Sequence, residues 1–324
     1  MNVSADAGAL QARSNTAASI LSTPKGQPGS TASTPAAQKP AGDSFQAETR
    51  KAAPMALDAP RSTGGANPKI DPDAGKGATY QRVDGRPFIQ GAGDASVVDW
   101  NDIDQGNLAD CYVMSSLGEV AKANPQLIQN AIKDNGDGTY TVRFYERQGD
   151  GPFGWFGHHY DPVDIKVTPD LPMDGSGNPV FAGTADRDGA QQELWPALME
   201  KAYAQWKGGY DAINHGGNPG DIMAAITGQD SSEKSGKDVT LDQLNQALSG
   251  GQAVTAGTFS DGKGKDLYDN GKLSTWHVYM VTGVDTSAGT VTLRNPWSPN
   301  LPDTTLSITE FNKNISYVDF NPTR

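Results

Sequence analysis

Residues 105–112 read QGNLADCY and contain Cys111, the one cysteine of the 324-residue chain. Gln105 precedes this cysteine by six residues, His277 follows it by 166, and Asn295 follows the histidine by 18. A glutamine, a cysteine, a histidine and an asparagine in this order are typical of thiol hydrolases. The order predicts a Cys-His-Asn triad with a glutamine beside the nucleophile.

The nucleophile needs an environment that stabilises its thiolate. A thiol with a pKa of about 8.5 is mostly protonated at neutral pH, and a helix N-terminus and a nearby imidazolium both favour ionisation. Asp110 is the predicted N-cap of a helix over 111–123, and Pro125 follows its end. Cys111 is therefore expected in the first helical turn, where His277 would supply the imidazolium.

The other polar residues have separate expected roles. Asn295 would hydrogen-bond the distal imidazole nitrogen, and Trp297 would shield that bond from water. Gln105 would offer its side-chain amide to a developing oxyanion, together with the backbone N–H of Cys111. A lone cysteine is more often a small buried apolar residue, and Asn295-Pro296 alone is a common turn. The prediction therefore depends on the conjunction of these residues.

Composition divides the chain near residue 79. Residues 1–79 are rich in small and polar residues, with Phe45 as their only aromatic, so this segment is predicted to be disordered. Residues 80–324 carry 18 Lys and Arg against 32 Asp and Glu, a net charge of −14. That acidic balance disfavours nucleic acid and anionic membranes as partners. We expect a monomer that acts on a protein or peptide substrate.

The N-terminal segment also bears on localisation. No apolar run approaches the roughly 18 residues that cross a bilayer, and no basic region precedes an apolar stretch at the N-terminus. Membrane insertion and classical signal-peptide export are therefore not expected. Two hypotheses have equal weight: the segment directs a bacterial effector into a specialised secretion system, or it is a plain tail or autoprocessed pro-segment of a cytoplasmic protein.

Within residues 80–324 the pattern predicts an α+β fold with a mainly helical half, 80–235, and a β-rich half, 236–324. The nucleophile would lie on a helix of the first half and the base on a strand of the second. The predicted elements are helix 111–123, strand 139–146, helix 193–207, a further helix, and strands 253–259, 277–285 and 290–294. The further helix begins at Thr240, which forms a capping box with Gln243, and ends at Gly250. Residues 286–289 are predicted to form the hairpin loop between the last two strands.

Four stretches resemble the calpain family of cysteine proteases. QGNLADCY is similar to the family's Q-G-x-L-G-D-C-W, and residues 276–285, WHVYMVTGVD, are similar to its G-H-A-Y-x-V-T-G. Residues 293–297, LRNPW, resemble R-N-P-W-G, and residues 193–204, ELWPALMEKAYA, resemble E-x-W-x-A-L-L-E-K-A-Y-A. The similarity extends from about residue 95 to 298, which corresponds to the family's protease core.

The resemblance implies a two-lobed papain-like fold, with a helical lobe that carries the cysteine and a β-rich lobe that carries the histidine and the asparagine. It implies endopeptidase activity of the calcium-dependent type through a thioester acyl-enzyme. It also implies the residues' roles: Cys111 as nucleophile, His277 as base, Asn295 as orienting residue, Gln105 in the oxyanion hole, and Gly217 as the backbone position that binds extended substrate.

Calpains also bind calcium within the core. Asp102 and Glu193 match carboxylates of the family's first core site, and oxygen ligands suit this hard cation. The alternative is that both are ordinary surface or helix-capping acids. Residues 298–302, SPNLP, lack the acidic stretch that serves the second site, so that site is expected to be absent.

Three positions depart from the family pattern. Trp276 stands where the family has glycine before the base, Tyr112 replaces a tryptophan, and Ala109 replaces a glycine. Trp276 is expected to narrow the cleft and, with Trp297, to contact substrate. If its indole closed the cleft, the chain would be a non-catalytic binding module. Acyl transfer as in transglutaminases also stays open, although those enzymes use Asp where this chain has Asn295.

Overall fold

The computed structural model describes residues 67–149, 157–183, 187–188, 191–261 and 266–324. These residues all belong to one unit of the chain, Ala56–Arg324. Most of the predicted disordered segment 1–79 lies outside the described residues, so its disorder stays a prediction. The described part begins at residue 67, and Lys69 O accepts a hydrogen bond from Tyr210 N at 3.0 Å. The folded part therefore reaches at least to residue 67.

The α-helices of the described part are α1 Cys111–Ala123, α2 Pro125–Ala131, α3 Trp195–Lys207, α4 Pro219–Thr227, α5 Leu241–Ser249, α6 Asp266–Asp269 and α7 Ile308–Asn314. The strands are β1 Thr79–Arg82, β2 Gly85–Arg86, β3 Ile132–Asp134, β4 Tyr140–Gly149, β5 His158–Val167, β6 Asp170–Met173, β7 Arg187–Asp188, β8 Gln191–Glu193, β9 Ser232–Ser235, β10 Gln252–Thr258, β11 Val278–Asp285, β12 Thr290–Arg294, β13 Thr304–Ser307 and β14 Ile315–Pro322. None of the helices in this part of the chain is long and apolar enough to cross a membrane.

The C-terminal half forms a six-stranded antiparallel sheet in the order β13-β12-β11-β10-β14-β9. The predicted hairpin loop between β11 and β12 is confirmed, since Asp285 Oδ1 accepts the N–H groups of Ser287 and Ala288 at 2.9 Å each. Strand β9 pairs with β14, so the sheet begins ahead of the predicted lobe boundary at residue 236. Helices α5 and α7 contribute apolar residues to the core of this lobe.

The N-terminal half packs α1, α3 and α4 together with the three-stranded sheet β3-β4-β5. Its core contains Trp195 at the start of α3 and Phe144 of β4, both buried. Phe144 stacks on Trp206 at a centroid distance of 5.5 Å. The prediction of a two-lobed α+β fold is confirmed, while the first lobe contains more β-structure than its mainly helical pattern predicted.

Helix α1 lies between the two lobes, and its residues 111–121 are all buried. Small polar side chains allow this position. Ser116 Oγ donates to Pro219 O of α4 at 3.0 Å, and Ser115 Oγ donates to Val278 O of β11 at 2.8 Å. The helix that begins with Cys111 is thereby fixed to both lobes.

Helix 111–123 has its predicted bounds, and α5 has the predicted capping box of Thr240 with Gln243. The predicted helix 193–207 is wrong at its start, because Gln191–Glu193 is a strand that pairs in parallel with β2. Pro196 explains the later start: it lacks an N–H and fits only the first helical turn. Glu193 therefore lies at a strand end.

Candidate active site

Cys111 is the first residue of α1 and is buried. Burial raises the pKa of its thiol to about 11, and the Asp110 carboxylate adds to the rise. Three backbone N–H groups oppose this by stabilising the thiolate: those of Val278, Tyr112 and Cys111 itself. The thiol thus lies at a helix N-terminus, and the backbone N–H of Val278, from the second lobe, also stabilises its thiolate form.

Asp110 occupies the N-cap position of α1, but its side chain makes no capping hydrogen bond, which corrects the sequence-based expectation. The carboxyl is instead fully buried beside Glu200 and Gln105. Burial raises the pKa values of Asp110 and Glu200, so the pair retains a proton near neutral pH. Ala182 N donates to Glu200 Oε1 at 3.1 Å. This pair was not predicted, since no spacing rule joins residues 90 positions apart.

His277 directly precedes β11 and is buried at the boundary of the cleft. Its Nε2 lies 2.9 Å from Asn295 Oδ1, so with the proton on Nε2 the ring donates to the asparagine. Burial lowers the pKa of His277 to about 4, and the bond to Asn295 opposes that change. Thr258 Oγ1 accepts the backbone N–H of His277 at 3.0 Å, a support that sequence reasoning missed. The geometry leaves Nδ1 as the nitrogen available to Cys111.

Asn295 is held in place by its own neighbours. Its Oδ1 also accepts the backbone N–H of Trp297 at 3.0 Å. The Trp297 ring packs on the His277 ring at a centroid distance of 4.7 Å, and Tyr279 contacts that ring edge-to-face at 4.8 Å. Two aromatic rings therefore restrict the rotation of the imidazole, and Trp297 lies beside its bond to Asn295.

Gln105 is buried and is not among the residues that line the cleft. Its Nε2 donates to Leu108 O at 2.6 Å, and its side chain also lies close enough to the Asp110 carboxyl to lower the pKa of that group. The backbone of Gln105 donates to Pro296 O at 3.1 Å. The adjacent Gly106 has φ +73°, and a Cβ there would lie 2.3 Å from Phe181 O, so only glycine fits.

Cys111 and His277 line the same cavity, which has a volume of about 340 Å³. Its other lining residues are Tyr112, His215, Gly216, Gly217, Thr258, Phe259, Ser260, Trp276, Val278, Ser316 and Tyr317. Gly217 packs closely on the Tyr112 ring, since a Cβ at this glycine would lie 2.3 Å from Tyr112 Cε2. The cavity is therefore a cleft with the sulfur and the imidazole on its walls.

Trp276 is at the rim of this cleft, and 79% of its surface is exposed. Its φ of +51° is in the left-handed region that favours glycine, the residue that the family has here. Its backbone N–H donates to Phe259 O at 3.1 Å. Trp297 is 47% exposed, packs on His277 and lines a second cavity of about 510 Å³ with Asn295.

Asp102 and Glu193, the predicted calcium ligands, are both buried. Asp102 Oδ2 accepts Trp195 Nε1–H at 2.8 Å and the backbone N–H of Asp99 at 2.7 Å, so it caps the short 3₁₀ turn Trp100–Asp102. Glu193 Oε1 accepts Ile89 N–H at 2.8 Å. No cluster of three or more His, Cys, Asp or Glu able to hold a metal occurs in the described ranges. The oxygen atoms of Asp102 and Glu193 are of the type that calcium prefers, and this ligand type is the one feature of the pair that supports a calcium site.

Comparisons with known proteins identify the family of this chain. A profile described as calpain family cysteine protease matches residues 92–302. Calpain-type cysteine protease DEK1 of Zea mays is 34% identical over 134 residues, which are 40% of this chain and 5% of that protein. DEK1 of Arabidopsis thaliana is 29% identical over 236 residues, 66% of this chain and 10% of that protein.

Calpain-13 of Rattus norvegicus is 27% identical over 192 residues, 57% of this chain and 26% of that protein. The matches thus cover about a quarter or less of each relative's length. The profile, in contrast, matches well over half of this chain and includes the quoted motifs. By this match the chain belongs to the calpain family of cysteine proteases.

Proposed function

We propose that this chain is a cysteine endopeptidase that hydrolyses peptide bonds through a Cys111-His277-Asn295 triad and a thioester acyl-enzyme. Membership of the family supports cysteine peptidase activity. The observation that carries the finer proposal is geometric: the sulfur and the imidazole line one cleft, and Asn295 Oδ1 lies 2.9 Å from His277 Nε2.

The reaction begins with proton transfer from the thiol to the imidazole. With the pKa of Cys111 raised and that of His277 lowered by burial, both groups are neutral at rest near pH 7. Transfer of the proton to His277 Nδ1 creates a thiolate and an imidazolium that stabilise each other. The N–H groups of Tyr112 and Val278 then stabilise the sulfur anion.

The thiolate attacks the scissile carbonyl carbon, and the carbonyl oxygen takes the negative charge. The side-chain amide of Gln105 and the backbone N–H of Cys111 are the proposed donors to that oxyanion. Collapse breaks the C–N bond, and the His277 imidazolium gives its proton to the leaving amine, which leaves a thioester on Cys111. A water, deprotonated by His277, then attacks the thioester and regenerates the thiol.

Substrate binding is proposed to involve Gly217, Trp276 and Trp297. Gly217 borders the cleft, where an extended peptide could pair with its backbone, the Trp276 indole also lines the cleft, and the Trp297 indole packs on His277. An indole that is 79% exposed at the rim does not fill the cleft, which favours an open site over the closed binding module. Aromatic surfaces of this kind lose water on contact with apolar side chains, so they favour bulky residues beside the scissile bond.

The experiment compares wild type and Cys111→Ala with casein and a thiol-directed epoxide probe. Because the chain has a single cysteine, any label reports on Cys111. Cleavage and labelling in the wild type alone support the endopeptidase. Labelling without cleavage would favour an acyl transferase instead, and the absence of both would favour a binding module.

Calcium dependence is the finer part of the proposal. Asp102 and Glu193 would hold the ion, which takes about six to eight oxygen ligands, so backbone carbonyls and water would supply the rest. A bound calcium ion would place its positive charge next to the buried carboxylates of Asp102 and Glu193. Calorimetric titration with calcium tests this: heat should appear with wild type and Glu310→Gln and disappear with Asp102→Asn and Glu193→Gln. Equal heats in all four proteins would exclude this pair as the site.

A further inference from the structure

The helix that begins with the nucleophile is docked on the strand that follows the base. Ser115 Oγ of α1 donates to Val278 O at 2.8 Å, and Val278 is the residue after His277. One turn further, α1 approaches β11 so closely that a Cβ at Gly118 would lie 2.4 Å from Met280 Sδ. The register of α1 on β11 therefore determines where the sulfur stands relative to the imidazole.

Glu119 lies at this seam, and its side chain is fully buried. The ladder between β10 and β11 contains the pairs Thr255↔Met280, Ala256↔Tyr279 and Gly257↔Val278, and then stops. The next pair in this register would join Val254 to Val281. Instead, Val254 N donates to Glu119 Oε2 at 3.2 Å, and the N–H of Val281 lies close enough to stabilise the same carboxylate.

A side chain from the first lobe thus replaces strand pairing inside the sheet of the second. An ionised carboxylate has acceptor positions for both N–H groups, whereas a neutral carboxyl places an O–H donor against one of them. Glu119 Oε1 has no hydrogen-bond partner among the described residues. The attachment of Glu119 to the sheet therefore depends on the bond from Val254 N to Oε2 and on the electrostatic attraction of the Val254 and Val281 N–H groups. A small displacement of α1 would weaken it.

The charges around Glu119 are few. Lys122 on the same helix is the charged group that acts on it. Strand β10 carries no ionisable side chain, and on β11 Tyr279 faces the opposite core while Asp285 is exposed in the hairpin turn. Asp319 of β14 shares the sheet face but interacts with acidic groups other than Glu119. On the other face of the sheet, α5 has one ionisable residue, an aspartate in its first turn.

We propose that Glu119 is a positioning residue: its carboxylate fixes the register of α1 on β10 and β11 and thereby holds Cys111 opposite His277. This inference rests on the proposed function. The glutamate touches neither substrate nor the reacting atoms and acts through the two strands. Misplacement of reacting groups by about 1 Å costs about 100-fold in rate, so a partial loss of register should be measurable.

The test compares wild type with Glu119→Gln, Ser115→Ala and the control Glu310→Gln. Glu310 also accepts a backbone N–H, from Ser307 at 2.8 Å, but it caps α7 away from the cleft. Alkylation of the single cysteine by iodoacetamide is followed from about pH 5 to pH 9, and kcat and KM are measured with a fluorogenic peptide.

For Glu119→Gln we expect kcat and the alkylation rate at neutral pH to fall by about 10-fold, with KM within about twofold of wild type. In wild type the alkylation rate should change with pH where Glu119 titrates. This change should be absent from the variant, because an amide does not titrate. Ser115→Ala should show a smaller fall of the same kind, and Glu310→Gln should match wild type.

Wild-type rates and an unchanged profile in Glu119→Gln would overturn the proposal, and so would an equal loss in Glu310→Gln. If Glu119→Gln does not fold, Ser115→Ala decides, since wild-type rates there would show that the register is not limiting. A wild type that is alkylated but cleaves no peptide would refute the endopeptidase alone, while the alkylation rates would still test the positioning role.

Discussion

Replacement of Glu119 by glutamine should change how stability depends on pH. Burial raises the pKa of this glutamate from 4.5 to about 7 in the folded chain. A raised folded pKa means that the folded state holds the proton more tightly than the unfolded state does. The stabilisation from Glu119 is therefore fully present below pH 4.5 and is lost as the pH rises through about 7.

The size of this effect follows from the two pKa values. At about 1.36 kcal/mol for each pKa unit, the full loss is about 3 kcal/mol, and most of it, about 2 to 3 kcal/mol, falls between about pH 5 and pH 8. Glu119→Gln has no charge to bury and escapes this loss. The free energy of unfolding of wild type should therefore fall by about 2 to 3 kcal/mol more than that of the variant over this range.

Urea titrations followed by tryptophan fluorescence measure this difference, since the chain has six tryptophans. Asp319, whose pKa burial raises to about 7, and the other titrating groups are present in both proteins and cancel in the comparison. Glu310→Gln serves as the control of opposite sign, because backbone hydrogen bonding to Ser307 lowers the pKa of Glu310. Parallel pH dependence in wild type and Glu119→Gln would refute the assignment of a buried, destabilising charge to this residue.

Other substitutions test the site directly. Asn295→Ala should lower kcat by about 10- to 100-fold with little change in KM, because the His277 ring loses its acceptor; peptide kinetics measure this. Gly106→Ala should destabilise the fold by about 2 kcal/mol or more, since its Cβ would meet Phe181 O and φ is +73°. Urea unfolding measures that loss. Trp276→Gly should raise KM for peptides with bulky apolar residues and leave that for small residues unchanged, which a peptide panel would reveal.

The local features of this fold could be predicted because their causes lie close together in sequence. Thr240 and Gln243 form the predicted capping box, and Asp285 closes the predicted hairpin loop. The start of α3 was misplaced because the parallel pairing of β8 with β2 is a long-range contact, although Pro196 was a local signal for the later start. A local pattern of helix-forming residues does not show which residues at its ends will instead pair with a strand that is distant in sequence.

The candidate site shows the same division. The order of Cys111, His277 and Asn295 predicted a histidine beside an asparagine, and the structure has these two groups 2.9 Å apart. The burial of Asp110 against Glu200 depends on the packing of α3 within the first lobe, and the insertion of Glu119 between strands depends on packing across the lobes. An acid within an apolar helix pattern is equally consistent with a solvated face, so sequence alone could not separate these cases.

The buried acids at the start of α1, Asp110 and its neighbour Glu200 of α3, bear on the reactivity of the nucleophile. A negative charge on Asp110 raises the pKa of the Cys111 thiol, which opposes formation of the thiolate. Because burial makes the Asp110 and Glu200 pair retain a proton, only part of that repulsion reaches the sulfur at neutral pH. The side chain that would ordinarily cap α1 is thereby kept away from the helix N–H groups, which are left to stabilise the sulfur. Burial of the acids is unfavourable for the fold when they ionise, yet it leaves the N–H groups of Cys111 and Tyr112 at the start of α1 to stabilise the reacting thiolate.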